Sequence, residues 1–132
     1  MGDVGAVRPY QAASVADLAG WPAGAAASDW WRLVAEFLEE YRHEPLEARS
    51  ALLAGEPASV GDERWDVFLA GLAEHLSARD GHGAPAWTED RVLRRFWFPF
   101  DSAAARVDAV VHAPAALRRR GVFVAAHELD VA

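Results

Sequence analysis

The chain has no cysteine and no lysine. The first absence excludes disulfides, thiolate metal centres and cysteine nucleophiles, and it fits a reducing cytosol. The second excludes Schiff-base and phosphate-loop lysines. All thirteen cations are arginine, and alanine is abundant; together these look like the codon bias of a high-GC genome rather than selection for bidentate binding. No run approaches the 18 apolar residues of a membrane span. The start, Met1-Gly2-Asp3-Val4, lacks the basic residues and apolar stretch of a secretory leader. A cytoplasmic protein without a membrane partner is expected. Also missing are HExxH, GxSxG, GxGxxG and GxxxxGK[ST], so no catalytic signature is present, and neither a cofactor nor a bound metal is implied.

What is present is unevenly distributed. Between Arg91 and Arg120 there are seven arginines (Arg91, Arg94, Arg95, Arg106, Arg118, Arg119, Arg120) against two acids (Asp101, Asp108), a window of +5. The remainder holds six arginines against eighteen acids, or −12. An acidic body with one basic, aromatic-rich end more often marks a surface made for a partner than a pocket made for a reaction. At 132 residues, with 52% hydrophobic and 25% charged residues, the chain fits one globular domain. Because alanine buries little area, the core must rely on six Trp, six Phe and the Leu/Val set.

The periodicity predicts a mainly α, compact bundle of five to six short helices, with at most a minor β pairing near the C-terminus. Residues 1–27, rich in Gly and Pro, read as a flexible N-terminal arm with a short helical turn near Ser14–Leu18, and 28–132 as the helical domain. Ser28 or Asp29 is expected to cap a helix whose Trp30, Leu33/Val34, Phe37/Leu38 and Tyr41 share one face. Pro45 opens the next helix, 45–54, expected to bury Leu46, Leu52 and Leu53. After a loop at 55–61, Asp62 begins the clearest helix, with Trp65, Phe68/Leu69, Leu72 and Leu76 on one stripe and an end at Gly81. A helix capped by Thr88 and running through Leu93 and Phe96 to Pro99 is expected next, then one from Ser102 to about Val111. A short last helix begins at Pro114 and ends at Gly121, and Val122-Phe123-Val124 is the only β-like tripeptide.

Three clusters suggest chemistry. His75 and His82 are seven residues apart across a helix end, which is no metal-ligand spacing, and His112 precedes a turn. Asp62, Glu63 and Asp66 sit where a helix N-terminus favours acids in any case. The third cluster is Arg94-Arg95-Phe96-Trp97-Phe98-Pro99-Phe100 together with Arg118-Arg119-Arg120. Consecutive helical residues point in different directions, so these aromatics cannot all enter one core, and Trp97 or Phe98 is the candidate for exposure. Exposed Trp and Arg side by side are the residue types of binding hot spots. Arg94, Arg95, Trp97, Phe98, Arg118, Arg119 and Arg120 are therefore the candidate partner-binding set.

From about Glu44 to Val131 the chain resembles an actinobacterial domain of toxin–antitoxin type, often found behind a helix-turn-helix in regulators. The resemblance rests on Asp62-x-Arg64-Trp65-x-x-Phe68-Leu69, Leu72-Ala73-Glu74-His75-Leu76, Gly83-x-Pro85-x-Trp87 and Phe96-Trp97-Phe98. It continues in Ala113-Pro114-Ala115-Ala116-Leu117-x-x-Arg120-Gly121-Val122-Phe123-Val124. Such a likeness implies a binding role rather than a reaction. The 43 residues before it leave no room for the DNA-binding module, so a stand-alone antitoxin-like module is expected, with a cognate toxin as partner.

The leading functional reading is thus a protein-interaction module that neutralises or regulates a protein partner through its basic-aromatic C-terminal surface. A second is a small hydrolase-like or ligand-binding enzyme using His75 or His112 with nearby acids. A third is an accessory protein binding nucleic acid, but the −12 body repels a polyanion and direct contact is not expected. Oligomeric state is left open by the sequence.

Overall fold

The computed structural model describes residues 12–20 and 26–130. Five α-helices occur among them: α1 (Ala27–His43), α2 (Leu46–Ala54), α3 (Glu63–Arg79), α4 (Ala103–His112) and α5 (Ala115–Arg118). Three short 3-10 turns, Val15–Gly20, Ala86–Thr88 and Ala126–Leu129, connect or flank them. The mainly α expectation holds, and no helix among the described residues is long and apolar enough to cross a membrane.

α3 is the hub. Asp62 caps it by accepting the Arg64 backbone N–H at 2.9 Å. Its apolar stripe is buried, and so are Val67, Ala70, Gly71 and Ala73 on the other faces. A helix covered on so many sides must be central, and α1 crosses it with Trp30, Val34, Phe37, Leu38 and Tyr41 buried at three- and four-residue spacing. Trp30 stacks on Trp65 with centroids 5.1 Å apart, while Trp31 and Trp97 meet the same indole edge-on. α1 stops at Glu44, whose ψ of 147° is the extended conformation that a following proline imposes. α5 packs on α3 where Gly71 leaves room for Leu117.

Four details differ from the sequence expectation. α1 is capped two residues ahead of Ser28 and three ahead of Asp29: its N-cap is Ala26, which makes no side-chain cap bond. In α2 only Leu53 is fully buried, and Leu46, at its first turn, is 52% exposed. Of the arm expected over 1–27, residues 12–20 dock on the body: Val15 and Leu18 lie in the main core. The remainder of that arm, 1–11 and 21–25, lies outside the described residues.

The fourth correction matters most for function. No helix forms between Thr88 and Pro99; a 3-10 turn at Ala86–Thr88 is followed by an irregular, extended run. Leu93 donates its N–H to the Arg120 carbonyl at 2.9 Å, Trp97 donates to Gly121 at 2.8 Å, and Phe123 donates back to Trp97 at 2.9 Å. This makes one parallel bridge, Trp97 with Val122, the minor β pairing expected near the C-terminus. An extended chain sends alternate side chains to opposite sides. Trp97 accordingly enters the main core against Trp65, whereas Phe96 and Phe98 both meet Phe123. Phe123, Ala109 and Ala113 form a separate small core under α4, with Phe98 packed against it. Gly121, at φ 86°, turns the chain from α5 into this pairing, and a Cβ there would press on Leu93.

Candidate functional site

The seven partner-binding candidates do not form one open patch. Arg120 is the clearest correction: it is 0% exposed. It lies in the turn just after α5, three residues beyond the buried Leu117 that packs on α3, and its side chain is carried inward on the same side. There Nη2 meets Glu74 Oε1 at 2.5 Å and Nη1 donates to the Arg91 carbonyl at 3.3 Å. Burial pushes the guanidinium below its ordinary pKa, and the Glu74 charge opposes that shift. Arg119 is exposed but pairs with the same Glu74 oxygen. Arg118 donates to the carbonyls of Val110 at 3.0 Å and Ala113 at 3.3 Å, satisfying groups left open at the end of α4. The Arg118–Arg120 run is thus occupied with holding the fold together.

Trp97 and Phe98 are half-buried. Trp97 lies edge-on to Trp65 and carries the Arg64 guanidinium 5.2 Å above its ring. Phe98 stacks on Phe123 at 5.1 Å and is covered by Arg106, also 5.2 Å away. Arg91, from the same basic window, is drawn inward: it pairs with Glu56 at 3.0 Å, donates to the carbonyls of Asp66 and Pro57, and lies over Trp87.

Arg94 and Arg95 keep the place expected of them. Both are exposed, and neither makes an ion pair among the described residues. Between the Trp97 bridge and these arginines stands Phe96, 74% exposed and held edge-on against Phe123 at 5.0 Å. Phe96 lies outside the seven candidates, because the sequence reading runs it through a helix and takes Trp97 or Phe98 as the exposed aromatic. Its signal was present in the Phe-Trp-Phe block once the segment is read as extended. Next to it, Leu93, Arg94, Arg95 and Trp97 border a shallow groove of about 420 Å³ that Glu63 and Arg64, from the start of α3, close on the far side. The arrangement can seat an apolar side chain on an aromatic floor while two guanidinium groups meet carboxylates at its rim.

The histidines are dispersed. His75 is half-buried, and burial beside Arg79 lowers its pKa. His112 is exposed and 4.0 Å from Asp108. The shortest histidine–carboxylate contact, missed in sequence, joins His127 Nε2 to Asp108 Oδ2 at 2.5 Å, and that bond raises the His127 pKa. This contact is on an exposed face and ties the last 3-10 turn to α4. Comparison with protein-family models, with curated proteins and with solved structures finds no match for this chain.

Proposed function

We propose that this chain is a cytoplasmic protein-interaction module of the antitoxin-like kind that its sequence resembles, holding an acidic segment of a partner protein against Phe96, Arg94 and Arg95. The observation that carries the reading is the exposed Phe96 ring standing beside two arginines without acidic partners, on a chain of net charge −7. Aromatic and arginine side chains set together are the composition of a binding hot spot, and unpaired arginines select carboxylates during encounter. The resemblance makes a toxin the partner class. Phosphate binding has less support, because Arg118, Arg119 and Arg120 are already engaged with backbone carbonyls and Glu74. An enzyme using His75 or His112 has less support too, since His112 is exposed rather than set in a pocket.

The test is co-expression with the product of the adjacent gene, followed by calorimetric titration. Burying a Phe side chain is worth about 1.5–3 kcal/mol. Phe96→Ala should therefore weaken binding by roughly ten- to a hundred-fold. Arg94→Ala with Arg95→Ala should chiefly lower the association rate and its salt dependence. A Phe96→Ala protein that binds within two-fold of wild type defeats the assignment of this surface.

A further inference from the structure

The acidic body of this protein carries a groove that mirrors its basic patch. Between the turn Val15–Gly20 and α1 lies a recess of about 270 Å³ with Leu18, Leu33 and Phe37 beneath and Asp17, Glu36 and Glu40 around it. Leu18 and Phe37 belong to the main core, so the floor is apolar and firmly held. Glu40 accepts the Ala13 backbone N–H at 3.0 Å and Asp17 accepts that of Ser14 at 2.8 Å. None of the three acids meets a cation in an ion pair among the described residues. Arg94 and Arg95 likewise meet no acid in an ion pair among the described residues.

The two surfaces complement each other in charge and in chemistry. One presents an aromatic ring flanked by guanidinium groups, and the other an apolar recess flanked by carboxylates. Phe96 is fixed against Phe123 on its own molecule, and the chain between them is pinned by the Trp97–Val122 bridge. A ring anchored in this way reaches an acidic groove by association rather than by folding back.

We infer that the protein docks head-to-tail on a second copy of itself, with Phe96 of one molecule seated over Leu18, Leu33 and Phe37 of the next and Arg94 and Arg95 facing Glu36, Glu40 and Asp17. The inference rests on reading the Phe96 patch as a docking surface and adds a regulation to it: self-association hides the patch, and the partner must displace a second copy to reach it. The contact uses two different surfaces, so it is heterologous, and assembly continues past the dimer unless a ring closes. One aromatic ring and a few charged side chains make a limited contact beside the roughly 800 Å² per molecule of a stable complex, so the association is weak and concentration-dependent.

Sedimentation equilibrium of the full chain tests this. Wild type in low salt should show a weight-average mass rising with concentration above 14.3 kDa. It should return toward the single-chain value in 1 M NaCl, where the screening length is about 3 Å. Arg94→Glu with Arg95→Glu should stay a single chain, and so should Glu36→Arg; all three positions are exposed, so folding is not at risk, and circular dichroism verifies it. The decisive arm is the equimolar mixture of these two proteins. One retains the groove and the other the patch, so the mixture should form a capped dimer that neither component forms alone. A wild type of constant mass, or a mixture that remains monomeric, overturns the inference. If wild type stays a single chain while Phe96→Ala still abolishes partner binding, self-docking fails and the proposed function stands. If the mixture dimerises while the partner binds Phe96→Ala normally, the reverse holds.

Discussion

Removing the charge of Glu74 should be among the most damaging single-atom changes available in this protein. Glu74→Gln keeps shape and one acceptor oxygen but leaves Arg120, which is 0% exposed, as a buried cation without a counter-charge. Breaking a buried pair from one side costs about 3–5 kcal/mol. The Glu74 side chain is 22% exposed, and the retained oxygen still accepts a hydrogen bond, so about 2–3 kcal/mol is the expected loss. With an unfolding entropy of about 2.1 cal/mol/K per residue over 132 residues, 1 kcal/mol is roughly 3.6 °C, and the midpoint should fall by roughly 7–11 °C. Arg119→Ala is the internal control, because it removes an exposed pair to the same carboxylate and should cost less than about 1 kcal/mol. Replacing both partners at once, Glu74→Leu with Arg120→Met, should recover most of the loss, since no buried charge remains. Thermal and urea denaturation monitored by circular dichroism measure the midpoints and free energies of wild type and the three variants. If Glu74→Gln and Arg119→Ala lose the same small amount, Arg120 is not held by Glu74 and the reasoning is wrong.

Three further outcomes are expected. Gly71→Ala should destabilise by about 1–3 kcal/mol, because the added methyl overlaps Leu117 Cδ2 and forces α5 off α3; an unchanged denaturation midpoint contradicts that packing. Tyr41 donates its hydroxyl to Asp80 at 2.6 Å, and burial with that bond pushes the phenol far above its usual range. Tyr41→Phe should cost about 1.5–3 kcal/mol, less where Arg49 compensates Asp80, and a neutral result in urea denaturation shows the bond to be idle. His127 should titrate above 6.5 by NMR and fall toward the ordinary value in Asp108→Asn, with Glu128 and Asp130 holding back the rest of the change. A raised folded pKa means that its contribution is fully present below the unfolded value near 6.5 and disappears as pH rises through the folded one. An unshifted titration would remove the tether.

How much of this was legible in advance depends on which forces act locally. α1 and α3 could be read because a three-to-four spacing of large apolar residues is sufficient to orient a helix on a core, and α4 because Ser102 and Pro114 bound it. The run from Thr88 to Pro99 could not, since Leu93 and Phe96 imitate that spacing while the actual partners, the backbone of Arg120, Gly121 and Phe123, lie some 25 residues away. The sequence did contain the contradiction, as three successive aromatics have no single inward face on a helix; the extended chain resolves it by serving two cores. Arg120 was misjudged for a related reason. Three adjacent arginines read as a solvated stretch, yet only one of them follows Leu117 at the three-residue spacing that points toward α3. The exposed members of the site, Arg94 and Arg95, were legible because nothing in the fold competes for them.

The crowding of indoles around Trp65 has an optical consequence. Two rings stacked at van der Waals range, with two more edge-on, couple their electronic transitions, so the native protein should carry an exciton couplet in circular dichroism and a quenched, energy-transferring emission. Because the stacked pair joins α1 to α3 and the Trp97 segment adds one edge-on ring, the couplet collapses when α1 parts from α3 and changes shape when the Trp97 segment lifts away. Spectroscopy without labels would then report separation of these segments before helicity is lost.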